Sequence, residues 1–354
     1  MNNESESVMV GSFETMRPFD DMRALVAACP DADDMARDAV VKRQASLAKP
    51  VGSLGLLENA VAHLAAWQGK AQPVMARPML CVFVANHGVV AQGVSAYPSD
   101  VSAMMLKAYG QGGGTINQIC ATYEFGFKAF ELALDLPTAD FTQAPALDEK
   151  ACVATMAFGM EALAGGVDVL GLGEMGIGNT TAAAAIFAAL YGGDPDRFVG
   201  RGAGADDAQW ARKKQAVRQG LERHQQVLHD PLAVLAALGG REIAAIAGAI
   251  LAARLQKVPV VLDGYVVTAA AAVLHAIAPD SISHCLAGHC SAEGAHREVL
   301  QHLGLVPLLD LGMRLGEGTG AAFAMALIKG ALACYTQTFT LQQIGAGPSA
   351  SGLH

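Results

Sequence analysis

The chain repeatedly passes from a short, continuously apolar run into a glycine-rich turn and then into a segment of helical pattern. Strands that are apolar throughout, and that are separated by helix-length segments, are typical of a mostly parallel sheet with helices on both faces. Such a sheet binds its ligand beyond the carboxyl ends of its strands, where these turns would collect. The pattern therefore predicts a doubly wound α/β fold with one site built jointly by the turns. The four occurrences are MLCVFVANHG at 79–88, GVDVLGLGEMGIGN at 166–179, VPVVLDGY at 258–265 and LVPLLDLGMRLGEGTG at 305–320.

The two ends of the chain depart from this pattern, because they indicate helices without strands. Leu54, Leu57, Val61 and Leu64 form an apolar stripe at helical spacing, and residues 320–341 are apolar and rich in alanine. We expect these terminal helices to pack together as a small helical domain beside the sheet. The predicted domains are 1–75 for an N-terminal leader and helices, 76–320 for the α/β domain, and 321–354 for a C-terminal helix and flexible tail.

Hydrophobic residues make up 52% of the 354 residues, whereas charged residues make up only 16%. A chain with so few charges to cover its outside commonly hides surface between subunits, so we expect a homo-oligomer, most simply a homodimer. The net charge of −9, from 24 Lys and Arg against 33 Asp and Glu, argues against nucleic acid as a partner. Binding to a phosphate backbone requires a basic surface.

The seven cysteines are scattered, odd in number and never spaced as CxxC, which favours reduced thiols and a cytoplasmic location. The N-terminus is acidic and polar, so it lacks the basic start and apolar centre of a signal peptide. Two long stretches, 78–99 and 175–193, contain no Asp, Glu, Lys or Arg. Both contain glycine and polar residues, so we interpret them as buried strand, loop and helix units and expect no membrane partner.

The strongest local signal is the glycine loop that begins at Gly171 and runs into an alanine-rich helix ending near Leu190. Asn179 and Thr180 stand at the start of that helix. Backbone N–H groups at a helix N-terminus, with glycines that let a ligand approach, form a cradle for an anion, and phosphate is the natural ligand.

Three other interpretations of this loop compete with the phosphate cradle. Gly171, Gly173 and Gly176 satisfy the GxGxxG pattern of dinucleotide-binding proteins, but Asp194 and Asp196 lie in a turn straight after the helix and not at the end of a second strand. The loop contains no lysine, so it is not a P-loop. A tight turn that merely packs remains the plainest alternative.

A second glycine-rich loop, GRGAGADD at 200–207, precedes another helix. Its early turns carry Arg212, Lys213, Lys214 and Arg218, and most of these are expected to be solvated. One lysine that reaches from this helix toward the first loop would neutralise a phosphate already held by backbone donors.

The segment 284–296 is the one metal-like cluster in the sequence, with His284, Cys285, His289, Cys290 and His296. Its spacing matches none of the common zinc patterns. We therefore favour buried thiols and hydrogen-bonded histidines, and predict no metal.

Glu317 stands between glycines in RLGEGTG, after an expected strand LVPLLDL. A carboxylate in apolar surroundings loses hydration, which raises its pKa and suits it to proton transfer near neutral pH. The same residue could equally cap the helix that follows. The spacing alone leaves these two roles open.

Together these segments resemble the nicotinate-nucleotide–dimethylbenzimidazole phosphoribosyltransferase family, which acts in assembly of the lower ligand of cobalamin. The resemblance runs from about Lys49 to Lys329, with the motifs in the family's order, and is more specific than any one motif. One departure is Asn86-His87-Gly88, where the family usually has Asp-His-Gly. The asparagine removes a negative charge beside the base pocket. The motifs are KPVGSLG at 49–55, NHGVVAQGVSAYP at 86–98, GEMGIGNTT at 173–181, GRGAGADD at 200–207 and RLGEGTG at 314–320.

The resemblance implies a Rossmann-like sheet with a small helical domain, assembled as a dimer, and implies roles for individual residues. Glu317 would be the general base, the 173–181 loop with Lys213 would hold phosphate and ribose, and an apolar pocket near Gln92 and Leu315 would receive the benzimidazole. The further substrate-binding residues that it implies are Glu174, Gly176, Gly178, Asn179, Thr180, Arg314 and Gly316.

The implied reaction moves ribose 5-phosphate from nicotinate mononucleotide to 5,6-dimethylbenzimidazole. The leaving base is already a pyridinium, so it needs no general acid, and the phosphate serves to place the anomeric carbon, so neither a metal nor a cofactor is expected. The alternatives from other classes are a nicotinamide-dinucleotide oxidoreductase built on GLGEMG and a non-catalytic nucleotide-binding regulator.

Overall fold

The structure of the protein is a computed structural model that describes residues 17–346. The expected N-terminal leader, up to residue 16, and the last eight residues of the expected flexible tail lie outside this range. Within it, five strands form one sheet in the order β2-β1-β3-β4-β5, and every neighbouring pair is parallel. The strands are β1 Pro78–Val84, β2 Gly126–Glu131, β3 Val169–Met175, β4 Val260–Leu262 and β5 Cys285–Ala287.

Helices join the strands and cover the sheet. They are α1 Pro18–Ala27, α2 Asp34–Ser46, α3 Leu56–Gln68, α4 Asp100–Gly110, α5 Thr115–Tyr123, α6 Glu149–Met160, α7 Asn179–Tyr191, α8 Asp207–Arg223, α9 Pro231–Leu238, α10 Arg241–Leu255, α11 Tyr265–Ile277, α12 His296–His302 and α13 Thr319–Gln337.

Alternate residues of the strands face two separate hydrophobic cores. Leu80, Val82 and Val84 of β1 pack with α5 and α13 on one face, whereas Cys81 and Phe83 pack with α6, α7 and α10 on the other. Successive side chains of a strand point to opposite faces, so a strand buried on both sides must be apolar at every position. The predicted doubly wound α/β fold is confirmed.

The order of the strands also locates the ligand crevice. The chain places β2 on one side of β1 and then crosses back to place β3 on the other side, so the order in which strands are added reverses between β1 and β3. In open α/β sheets ligands bind at such a reversal, beyond the carboxyl ends of the strands. The segments after residues 84 and 175 flank that point.

The expected packing of the terminal helices is also present. Val40 of α2, Val61 and Ala65 of α3, and Leu332 and Tyr335 of α13 share one small core. A backbone hydrogen bond of 2.8 Å from the N–H of Ala48 to the carbonyl of Phe339 lies beside it. The α13 helix is long and apolar enough to cross a membrane, but half of its apolar window is buried within the protein.

Three details differ from the expectations. The segment 305–311 is not a strand, because Pro307 lacks the N–H that a ladder requires, and only Leu309 forms an isolated bridge, with His289. The strands β2 and β5 were not anticipated. The run 243–253 contains no charged residue and could have formed the interface of the expected homodimer, but it lies in α10 and is buried within one subunit.

Candidate active site

A cavity of about 410 Å³ lies at the carboxyl ends of the central strands. It is lined by the segments that follow β1, β3, β4 and β5 and by the loop before α13. Ten of the eleven predicted site residues line it, namely Glu174, Gly176, Gly178, Asn179, Thr180, Lys213, Arg314, Leu315, Gly316 and Glu317. The glycine turns therefore build one site, although α3 and the small helical domain contribute nothing to its lining.

The first glycine loop forms the N-terminus of α7. Gly178 is the N-cap with a φ of 94°, and a Cβ there would lie 2.8 Å from Val90. The N–H groups of Gly178 and Thr180 donate to no group within residues 17–346. Two free donors at a helix N-terminus, facing a cavity, provide the geometry of an anion cradle.

The GxGxxG pattern does not have the position that a dinucleotide fingerprint requires. Gly171 and Gly173 lie inside β3 rather than in the turn. A Cβ on Gly173 would lie 2.3 Å from the backbone nitrogen of Gly318, so this glycine permits close packing of the RLGEGTG loop on the strand.

Lys213 is the basic residue of α8 that reaches this cradle. It is buried, and its Nζ donates to the Thr180 Oγ1 at 2.9 Å and to the Gly200 carbonyl at 3.0 Å. Burial lowers the pKa of Lys213, and the carboxylate of Glu293, 4.0 Å away, opposes that shift. A cation is thus held beside the two free N–H groups.

The other basic residues of α8 point elsewhere, as expected for a solvated face. Arg212 donates to the Gly93 carbonyl, while Lys214 and Arg218 pair with Asp196.

Glu317 occupies an unusual backbone conformation. Gly316, Glu317 and Gly318 have successive φ values of 84°, 61° and 78°, all in the left-handed region. A glutamate there is strained by roughly 1 kcal/mol or more, and such strain persists where surrounding contacts fix the conformation. Those contacts come from the ends of two strands.

Asp263, directly after β4, caps the helix that follows Glu317. Its carboxylate accepts hydrogen bonds from the N–H groups of Gly318, Gly320 and Ala321 at 3.0, 2.7 and 3.1 Å. Glu317 is therefore not the cap of α13, and its side chain remains available to the cavity. Sequence reasoning missed Asp263, although its place directly after the apolar run VPVVL was the available signal.

The carboxylates of the site shift one another's pKa values. Burial raises the pKa of Glu317, the nearby hydroxyl of Tyr109 opposes that shift, and the charge of Asp263 adds to it. Burial, with the charges of Asp263 and Glu242, raises the pKa of Glu174 to about 8. The Oε2 of Glu317 is buried and has no hydrogen-bond partner within the described part of the chain.

The cavity wall near Glu317 is apolar and includes Met105, Met175 and Leu315. Gln92 is the one predicted site residue that does not line the cavity, because its amide donates to Asp140 at 2.6 Å and to Thr142 at 3.2 Å. Its contact with a base stays a prediction. Asn86 also lies off the cavity, where its amide donates to the Leu134 carbonyl at 3.1 Å.

The histidines of segment 284–296 have separate partners. His284 lies 3.0 Å from the Ile250 carbonyl, His296 lies 2.8 Å from the Thr268 hydroxyl, and the Nε2 of His289 lies 3.5 Å from Asp263. His289, Ser291 and Glu293 line the cavity and were not predicted as site residues.

Comparisons with known proteins identify the family of the chain. The sequence profile of a family described as "Phosphoribosyltransferase" matches residues 29–345. The nicotinate-nucleotide–dimethylbenzimidazole phosphoribosyltransferase of Methylocella silvestris is 58% identical over 326 residues, which are 92% of this chain and 96% of that protein. The protein of the same name from Brucella anthropi is 55% identical over 328 residues, covering 93% and 97%. The crystal structure of CobT from Thermus thermophilus is 39% identical, covers 89% of this chain and 100% of its own, and superposes with a TM-score of 0.83.

Proposed function

Because the chain belongs to the nicotinate-nucleotide–dimethylbenzimidazole phosphoribosyltransferase family, we propose that it transfers ribose 5-phosphate from nicotinate mononucleotide to 5,6-dimethylbenzimidazole. The products are α-ribazole 5′-phosphate and nicotinate, and the reaction serves cobalamin biosynthesis. The protein is an enzyme of the phosphoribosyltransferase class.

The observation that carries the proposal is the position of Glu317. Glu317 lines a cavity that has an apolar wall on one side and an anion cradle on another, and its carboxylate is released from helix capping because Asp263 caps α13 instead. A general base must lie within hydrogen-bond reach of the proton that it removes, and it works best with a pKa near the working pH. A flat base against Met175 and Leu315 would present its edge to this carboxylate.

The reaction then needs one base and no acid. One nitrogen of the benzimidazole donates its lone pair to the anomeric carbon, while the bond from that carbon to the pyridinium nitrogen breaks and its electron pair returns to the ring of the departing nicotinate. The proton on the other benzimidazole nitrogen becomes acidic and passes to Glu317. Attack from the side opposite the leaving group converts the β link into α.

The phosphate end of the substrate is placed by the cradle. The N–H groups of Gly178 and Thr180 and the ammonium of Lys213 supply donors and positive charge without further rearrangement. Binding energy from this non-reacting group fixes the anomeric carbon between the leaving group and the incoming base.

The test is to incubate the purified protein with nicotinate mononucleotide and a panel of bases, including benzimidazoles, adenine and phenols, and to identify the products by mass. A ribotide of 5,6-dimethylbenzimidazole, formed with one equivalent of nicotinate, is expected. Bound nicotinamide dinucleotide with hydride transfer would instead support an oxidoreductase. Nucleotide binding with no product from any base would support a regulator.

The assembly and the compartment belong to the same proposal. We propose a homodimer, supported by exposed apolar side chains of the terminal helical region such as Phe323, Leu327 and Phe339. We propose a cytoplasmic location, supported by seven cysteines that are all free thiols. The domain division at residues 75 and 320 also stays a proposal.

A further inference from the structure

The peptide unit of Gly202 is held from both sides at the edge of the cavity. Its N–H donates to both carboxylate oxygens of Glu293, each at 3.1 Å. Its carbonyl accepts a hydrogen bond from the Nη1 of Arg314 at 3.2 Å. These two contacts form a clamp on Gly202 that joins three segments distant in sequence.

The Glu293 side of this clamp contacts the phosphate cradle. Glu293 is buried, and its Oε1 lies 4.0 Å from the Nζ of Lys213. Lys213 in turn donates to the carbonyl of Gly200, two residues before Gly202. A Cβ on Gly200 would lie 2.3 Å from the Glu293 carboxylate, so the loop is packed directly against this side chain.

The Arg314 side of the clamp contacts the loop of the general base. Arg314 is three residues before Glu317, and within residues 17–346 no carboxylate lies within ion-pair distance of it. Arg201, the other arginine on the cavity, is committed to Asp207 at 2.5 Å and to the face of Trp210. The Arg314 guanidinium is therefore free to hold the Gly202 carbonyl.

We propose that Glu293 and Arg314 are positioning residues that clamp Gly202 and thereby couple occupation of the phosphate cradle to the placement of Glu317. The inference rests on the proposed function. Phosphate bound by Thr180 and Lys213 fixes the Gly200–Gly202 segment, and through Arg314 it fixes the strained loop that carries the base. Part of the phosphate binding energy is thus used to raise turnover rather than to tighten binding.

The test compares nicotinate mononucleotide with nicotinate riboside, which lacks the phosphate, at saturating 5,6-dimethylbenzimidazole. In the wild-type enzyme the maximal rate with the ribotide should exceed that with the riboside by about tenfold or more, and added phosphite should accelerate the riboside reaction. In Glu293→Gln and in Arg314→Met the ratio of the two maximal rates should fall toward one, and phosphite should lose its effect. Arg314→Lys, which keeps a donor, should restore part of the ratio.

The control is Glu298→Gln, a surface carboxylate of α12 whose loss should leave the ratio unchanged. Arg314 is exposed, so its replacement by methionine should not impair folding. An equal ratio of the two maximal rates in the wild type and in Arg314→Met would overturn the coupling. Equal maximal rates for ribotide and riboside in the wild type would overturn it as well. Absence of any ribotide product from the wild type would instead refute the proposed function.

Discussion

The backbone N–H of Glu317 donates a hydrogen bond of 3.1 Å to the carbonyl oxygen of Glu174, the residue before the end of β3. This bond joins the strained loop to the strand that leads into the phosphate cradle. The two regions that must hold the substrate are therefore fixed to each other by backbone contacts.

The first prediction concerns Glu317→Gln. The variant should fold and bind nucleotide as the wild type does, but turnover should fall by about two to four orders of magnitude, the usual contribution of a general base. Steady-state rates and the thermal midpoint measure the two effects. The matched control is Glu124→Gln, which changes another glutamate with a positive φ, 58°, at an exposed site that does not line the cavity. Near-normal turnover in Glu317→Gln would remove its assigned role.

The second prediction concerns Gly178→Ala. The added Cβ would meet Val90 at 2.8 Å and force a left-handed alanine at the cradle, so the Michaelis constant for nicotinate mononucleotide should rise about tenfold or more. Gly165→Ala is the control, because Gly165 has nearly the same φ, 95°, and open space around it. Each variant should lose about 1 kcal/mol of stability through its left-handed alanine, Gly178→Ala should lose more because of the Val90 contact, and only Gly178→Ala should lose affinity. A similar Michaelis constant in both would place the phosphate elsewhere.

The fold was largely predictable because its strands are buried on both faces. A strand such as β1 must be apolar at each position, so its pattern differs from that of an amphipathic helix. The glycine-rich turn that follows it is a second signal in the sequence. The edge strand β2 is only partly buried and lacks that signature. Strand β5 spans three residues, too few for a pattern, and its neighbour 305–311 was mistaken for a strand because it is short and apolar.

The site was predictable where backbone conformation demands glycine, since GEMGIGN and RLGEGTG both identify turns that approach a ligand. The site was not predictable where a side chain contacts a segment that is distant from it in the sequence. Asp263 caps a helix that begins 56 residues later, and Glu293 binds the backbone of a loop 91 residues earlier. Both contacts arise because the parallel sheet brings the carboxyl ends of its strands, and the segments that follow them, to the same edge.

The third prediction concerns the dependence of stability on pH. In the folded protein the pKa of Glu174 is raised to about 8, whereas in the unfolded chain it has the ordinary value of 4.5. The folded state then keeps a proton that the unfolded state has released, so this contribution to stability is complete at low pH and is lost as the pH rises toward about 8. Glu174→Gln cannot titrate, so its free energy of unfolding should fall less than that of the wild type between about pH 5 and 8. Urea unfolding of both proteins across this range measures the difference, and parallel curves would contradict the assignment.

The last prediction concerns assembly. Because α10 is interior to one subunit, a dimer must bury other apolar surface, and the C-terminal helix offers it. Phe323 and Leu327 lie four residues apart on one face of α13, and both remain partly exposed. The same helix begins directly after the loop that carries Glu317.

Light scattering should therefore give twice the subunit mass of 36.5 kDa across a dilution series. Leu327→Glu should shift the protein to the monomer mass, because a charge buried in an interface without a partner costs several kcal/mol. The control Leu136→Glu, at an exposed apolar site in a loop after β2, should leave the mass unchanged. A wild-type species at 36.5 kDa with full activity at all concentrations would show that the exposed face of α13 is solvated and that the site is complete within one subunit.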